Sequence, residues 1–450
     1  MPQDAALPSP KKGSSMTFRI ARRQLLIGAA ATTTMLSAPA ILRAQTRDLT
    51  MWSTQRSPDQ VAAYEEIFAR FAEENPGLTV TLQYMGEDDL LPKLAASLAA
   101  GAPPDLISHM PPEFVMHLNE QGVLHPVDDV INAVGKDDFY ENTTELLYDS
   151  QRGYFPGLAI VNSTTTGALW YRKDLADASG FADWNAMLGT VKDTTKGGVY
   201  GTIYPFGKTN MGDKLLLQTI WRAGGFVLNP DGSVAFNSPE TIAAFEFVRE
   251  LASYSPSGSV TYGYSETING FVEGRAASAP YSGRVLINVQ QKNPSLGDTV
   301  SVVPYPMADG GRDVFTGDFQ SLVIPKTGND PEAAKTLALA LLRRDNYIKF
   351  LHVTPSHNLP NLKSVATSEA YFDNEIMSKY RAEVDTMIEA TSKGRSLLKE
   401  SPEHPMNPAA GSIIGARIMT EAVQDVIVGG VSPSDAAARG ADRISDLLTS

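Results

Sequence analysis

Two hydrophobic periods alternate along the chain from residue 48 onward. Asp48–Trp52 is a short apolar run that predicts a strand. Ser57-Pro58-Asp59-Gln60 then reads as a capping box with proline at the first helical position. Val61, Tyr64, Ile67, Phe68 and Phe71 follow at spacings of three and four, the stripe of an amphipathic helix. Asn75-Pro76-Gly77 stops that helix, and Leu78, Val80, Leu82 and Tyr84 alternate as a half-buried strand. A second helix, about 88–100, ends at Gly101-Ala102-Pro103-Pro104, and Asp105–Ser108 makes the next strand. Strands alternating with helices predict an α/β fold around a mostly parallel sheet covered on both faces. Ligands of such sheets lie beyond the carboxyl ends of the strands, which here carry Ser53-Thr54-Gln55-Arg56, Gly86-Glu87-Asp88 and His109-Met110.

The same start signal recurs downstream. Ser238-Pro239-Glu240, Asp330-Pro331-Glu332 and Ser432-Pro433 each place proline after a capping residue. The first opens a stripe of Ile242, Phe245, Val248 and Leu251, the second one of Ala334, Leu337 and Leu341, and both predict core. Tyr254–Tyr264 reads as an exposed loop and 391–411 as a long connection. No fixed-period repeat is present.

Length changes the picture first: 450 residues suit two lobes rather than one domain. The chain has no cysteine, so disulfides, thiol chemistry and cysteine metal sites are all excluded. Met16–Gln45 runs from basic residues through an apolar stretch to small residues ending at Ala44, the order of a secretory signal peptide. Arg22-Arg23 before Gln24-Leu25-Leu26 resembles a twin-arginine signal, with the ordinary Sec route as the alternative. Cleavage is expected between Ala44 and Gln45. Residues 1–15 read as a tag or an upstream start, and no cysteine follows the signal to carry a lipid. Without residues 1–44 the chain holds 32 basic and 50 acidic residues, a net charge of −18. Nucleic acid and anionic membranes are therefore poor partners.

No motif for catalysis stands out. Six histidines are scattered without an HExxH or HxH pattern, so no metal or cofactor is expected. Neither a GxSxG elbow nor a phosphate-binding loop occurs. A glycosidase needs only two well-placed carboxylates, which leaves a secreted glycoside hydrolase as the enzyme alternative.

Several segments have a distinctive order: KLAASLAAGAPPDLISH (93–109), EQGVLHPVDD (120–129), GALWYRKDL (167–175), GFVEGRAASAPY (270–281) and TGDFQSLVIPKTGNDPEAAKTLALALL (316–342). Together with the closing GGVSPSDAAARGADRISDLL, they resemble the extracellular solute-binding proteins of carbohydrate ABC importers, the family of the maltodextrin-binding protein. The resemblance covers nearly all of 45–450. It implies a two-lobe periplasmic binding protein fold with mixed, mostly parallel sheets and three crossing segments. Lobe 1 would hold 45–163 and about 320–375, and lobe 2 would hold 164–315 and about 376–450. Crossings are expected near 160–168, 313–320 and 370–395. A monomer would bind a sugar or glycoside between the lobes and hand it to a membrane permease.

The resemblance also points to site residues, none of them catalytic. Ser163–Thr166 becomes the hinge turn, with Thr165 and Thr166 either clamping the ligand or shaping the turn, since no neighbour activates them as nucleophiles. Gly317 and Asp318 match the family's cleft turn, and Phe319 could supply a sugar-stacking ring. Gln55, Arg56, Asp88 and His109 follow the early strands, His109 standing where the maltodextrin-binding member has a cleft aromatic. Lys208, Trp221, Tyr281, Gly283 and Arg284 come from the other lobe. Trp221, inside LLLQTIW, reads equally as core, and Arg56 equally as solvent-facing. Arg284 beside Gly283, with Arg56 and Lys208 as possible partners, suits an anionic ligand held by guanidinium. In whole-chain character the sequence is similar to the branch binding sulfonated sugars such as sulfoquinovosyl glycerol. Neutral oligosaccharides and glycerol phosphodiesters are the alternatives.

Overall fold

The computed structural model describes residues 46–55, 57–163 and 167–449, and the side chains of residues 87 and 88 are outside that description. The expected signal peptide, Arg56, Thr165, Thr166 and the Asp88 side chain therefore lie outside the described residues.

The capping box forms as the sequence predicts. Ser57 Oγ accepts from the Gln60 amide, and the Gln60 side chain accepts from the Ser57 amide. Helix Pro58–Glu74 buries Tyr64, Ile67, Phe68 and Phe71 and ends at Asn75. Each such side chain contributes about 1.5–3 kcal/mol by leaving water. Ser238 and Asp330 cap helices Pro239–Ala252 and Pro331–Leu342 by the one-way bond alone, their side chains accepting from the Thr241 and Ala333 amides.

The strands are β1 (Arg47–Ser53), β2 (Leu78–Tyr84), β3 (Leu106–Met110), β4 (Leu158–Asn162), β5 (Ala168–Arg172), β6 (Ser278–Pro280), β7 (Val300–Pro304), β8 (Phe315–Thr316), β9 (Phe319–Val323), β10 (Leu359–Pro360) and β11 (Gly394–Arg395). They form a six-stranded sheet ordered β10-β4-β9-β3-β1-β2, a three-stranded sheet ordered β6-β5-β7, and the pair β11-β8. Each larger sheet has its own helices, which gives two bodies. Among the named strands of the described residues, the parallel pairs are β1 with β2, β1 with β3, and β11 with β8. Elsewhere neighbours run antiparallel, so the sheets are mixed with less parallel pairing than strand–helix alternation predicts. The cause is topological: β9 reaches the first sheet after a visit to the second and enters it against β3 and β4.

The chain leaves the first sheet after β4, enters the second at β5, and returns between β7 and β9. The connecting segments pack on one another. The Ser163 amide donates to the Asp318 carbonyl, and the Gly317 amide donates to the Arg395 carbonyl. A Cβ on Gly167 would stand 3.2 Å from both Phe315 and Ala390, so glycine permits this approach.

Two connections differ from expectation. Residues 254–264 contain a short 3₁₀ turn, Ser257–Thr261, and are partly buried because Phe206 and Gly207 donate to Ser259 and Tyr262 carbonyls. The 391–411 stretch is largely buried, anchored by Leu397, Leu398 and Glu400. Among the described residues, no helix is long and apolar enough to cross a membrane.

Candidate functional site

Side chains from both bodies meet where the crossing segments pass. Asp318, between β8 and β9, lies at the centre. Its Oδ1 is 2.6 Å from Lys214 Nζ, and its Oδ2 accepts from Ser163 Oγ at 2.9 Å. Lys214 comes from the second body, on helix Asn210–Arg222, which Thr209 caps. The two charged side chains keep 23% and 15% of their surface exposed, so they line an accessible place rather than a sealed core. Burial alone would push the Asp318 carboxyl up, but the Lys214 ammonium and the bonds from Lys214 and Ser163 hold it below its usual range. For Lys214, burial works downward and is overcome by Asp318, Tyr264 and Glu113, so the ammonium is held above its ordinary value.

Two histidines face this pair. His109, in β3, has φ 70°, a left-handed conformation unusual for a residue with a side chain. The ladder between β3 and β9 shifts register between Ile107 and Met110, which frees the backbone to turn there. Gln55 Nε2 lies 2.7 Å from His109 Nε2 and 3.0 Å from Nδ1. Burial, followed by the positive charges of Arg284 and Lys214, depresses His109 to about 4 against the opposing pull of Asp318. His357 is pushed down to about 3, chiefly by burial and then by Arg284 and His109. Both rings keep some surface open to solvent, yet both stand deep among protein atoms and are neutral near pH 7. A neutral imidazole offers one donor and one acceptor, which suits hydroxyl recognition.

Arg284 begins helix Arg284–Lys292, just past the β6 end, and its side chain is exposed. Its charge acts on His109, His357 and Tyr281. Among the described residues it has no carboxylate partner. Tyr281 is buried and meets Tyr264 edge-to-face with centroids 6.2 Å apart. Gln55 Oε1 is buried with no hydrogen-bond partner among the described residues.

Of the residues predicted from sequence, the structure brings Gln55, His109, Tyr281, Gly283, Arg284 and Asp318 into one neighbourhood. It places others elsewhere. Trp221 is fully buried and donates to Glu400 Oε2 at 2.6 Å, so of its two readings the core is the one it occupies. Lys208 is exposed and pairs with Glu421 at 3.1 Å instead of facing Arg284. Phe319 packs in the core, its ring filling the space a Gly317 Cβ would occupy at 1.9 Å. The Gly317 amide is committed to Arg395, so that glycine serves packing rather than offering a free donor.

Lys214 and His357 are the residues that sequence reasoning missed. A lysine just before the apolar run LLLQTIW, on a helix buried along most of its length, was the available signal for the first. His357 follows helix Arg344–His352 in a loop with no local pattern, and only tertiary structure delivers it.

A two-body α/β molecule whose chain crosses several times, with polar side chains converging between the bodies, has the architecture of a periplasmic solute receptor. The chain belongs to the bacterial extracellular solute-binding protein family, whose sequence profile matches residues 56–346. The Escherichia coli K12 protein YcjN, provisionally assigned as an ABC transporter periplasmic-binding protein, is 24% identical over 328 residues, covering 71% of this chain and 74% of YcjN. An Arthrobacter chlorophenolicus A6 sugar transporter with bound laminaribiose superposes with a TM-score of 0.72 at 18% identity, covering 90% of this chain and 99% of that one. A Thermotoga lettingae TMO ABC transporter solute-binding protein bound with α-D-tagatose gives 0.71 at 22% identity, with 89% and 100% covered. These likenesses establish the two-domain fold.

Proposed function

We propose that this protein is the substrate-binding component of a carbohydrate ABC importer, taking a sugar or glycoside between its two bodies and delivering it to a membrane permease. Arg284 carries the finer reading. An exposed guanidinium with no described carboxylate partner, set among neutral histidines, fits an anionic group, and sulfoquinovosyl glycerol has the required sulfonate and hydroxyls. Neutral His109 and His357, with Gln55 and the Lys214–Asp318 pair, would serve the hydroxyls. Gln55 Oε1 supports this, because an unsatisfied buried acceptor costs about 1–3 kcal/mol and a bound solute that reorders the site can relieve it. Lobe 1 would comprise 45–163 and about 320–375, and lobe 2 would comprise 164–315 and about 376–450, with Thr165 and Thr166 in the hinge turn. Export by the twin-arginine route and action as a monomer belong to the same reading.

The hydrolase alternative fits less well. A glycosidase acid needs a raised carboxyl, whereas Asp318 is held ionised by Lys214 and Ser163. The test is thermal unfolding against neutral oligosaccharides, glycerol phosphodiesters and sulfonated glycosides, where bound solute raises the midpoint through RT ln(1 + [L]/Kd). A shift with the sulfonated glycoside alone is expected. A shift with neutral sugars alone would keep the sugar receptor and remove the anionic assignment, and turnover of a glycoside would overturn both.

A further inference from the structure

The loop between helix Arg344–His352 and β10 belongs to the first body, yet it sits directly on the turn after β6, which belongs to the second. Ser356 Oγ donates to the Gly283 carbonyl at 2.8 Å, and His357 Nδ1 shares a hydrogen bond with Ser282 Oγ at 2.9 Å. Ser356 holds φ 63°, one of three non-glycine residues with positive φ among the described residues. A conformation of that kind persists only where surrounding contacts over-determine it. The fit is closer still at Gly283. A Cβ there would lie 1.9 Å from the Ser356 carbonyl oxygen and 2.5 Å from its carbon, both backbone atoms that cannot swing aside. Gly283 itself has φ −58° and ψ −8°, which any residue adopts, so its lack of a side chain answers to the opposite body and not to its own turn.

We propose that residues 354–358 and Ser282-Gly283 form a latch that holds the two bodies together without any solute, and that in closing it sets the turn from which Arg284 faces the site. The contacts that make it are protein to protein. It acts on the proposed solute cleft, but its test needs no sugar, so loss of the anionic assignment would leave it standing. Closure would then be partly built in, and a solute would add to an existing bias rather than supply all of it.

The chain is free of cysteine, which allows two spin labels to be placed without background. Ala62→Cys in helix Pro58–Glu74 and Lys192→Cys in helix Trp184–Thr194 are both exposed and lie one on each body. Pulsed electron–electron distance measurement on the solute-free full chain should show a short-distance population. Gly283→Ala should reduce that population at least about five-fold while circular dichroism stays native. The double variant Ser282→Ala with Ser356→Ala, which removes hydroxyls without adding bulk, should shift it in the same direction by less. Identical distributions in the parent and a natively folded Gly283→Ala chain would overturn the latch. Should Gly283→Ala fail to fold, an unchanged distribution in the double variant would overturn it equally.

Discussion

Asp318 and Glu400 are both carboxylates withdrawn from bulk water, and they are handled in opposite ways. Glu400 is 2% exposed and is met by neutral donors: Trp221 Nε1 at 2.6 Å and the amides of Val227 and Leu228, each at 2.9 Å. Burial pushes its carboxyl up, against those three bonds. Asp318 is met by an ammonium and a hydroxyl, keeps some exposure, and is held below the usual carboxylate range. The first arrangement ties a connecting segment to the second body and leaves nothing for a ligand. The second keeps charge and accessibility together where both bodies meet. Arg312 extends the anchor: it donates to the Glu400 carbonyl at 2.7 Å and stacks over Phe226 at 3.9 Å. A buried charge by itself is thus no mark of a binding site; the kind of partner and the remaining exposure separate the two.

That contrast can be broken from the anchor side first. Glu400→Ala should cost about 3 kcal/mol or more, because three buried donors lose their acceptor together. Chemical denaturation would measure it, with solute affinity of the folded fraction little changed. Lys214→Met should come next, at about 1–3 kcal/mol given that the pair is partly solvated, and unlike Glu400→Ala it should also weaken solute binding in titration calorimetry.

Acid provides a third separation. His109 and His357 ordinarily titrate near 6.5 and are depressed in the folded chain to about 4 and about 3. The unfolded chain then binds more protons below pH 6.5, so their stabilising contribution is complete above 6.5 and is lost as pH falls toward the folded values. Asp318, also depressed, adds to that loss at lower pH. Glu400, raised by burial, works in reverse, its contribution present at low pH and lost as pH rises through its folded value. Melting midpoints from pH 7 to pH 4 should therefore fall, and the double variant His109→Gln with His357→Gln should flatten the slope. Lys208→Ala marks the smallest effect. Its exposed pair with Glu421 should be worth less than about 1 kcal/mol, and binding should not respond.

Much of the frame was legible in sequence. Capping boxes, prolines at first helical positions and apolar periods are local, and helices such as Pro58–Glu74 and Pro331–Leu342 follow them closely. Strand direction was less legible, because β9 runs against β3 for reasons of chain path that no local window contains. Within the candidate site, strand ends drew attention to His109, whereas Asp318 and Arg284 came from the resemblance to the family's glycine-containing turns and not from any local period. Trp221 could not be resolved, since an apolar helix beside a cleft and one inside a core look alike until Glu400, 179 positions away, comes to meet it. His357 was invisible for the same reason: its neighbours Ser282 and Arg284 are distant in sequence, and a histidine in a loop has no period to betray it.

In the proposed function, the accessible Arg284 guanidinium between the bodies selects the solute. Titration calorimetry of the parent and Arg284→Gln against sulfoquinovosyl glycerol and the matching neutral glucosyl glycerol tests it most directly. The parent should prefer the sulfonated glycoside, and Arg284→Gln should lose about 10- to 100-fold of that affinity, as expected for one charge-assisted contact, with its melting midpoint almost unmoved. Equal affinity of the parent for the two glycosides, or an Arg284→Gln chain that keeps the preference, would contradict it.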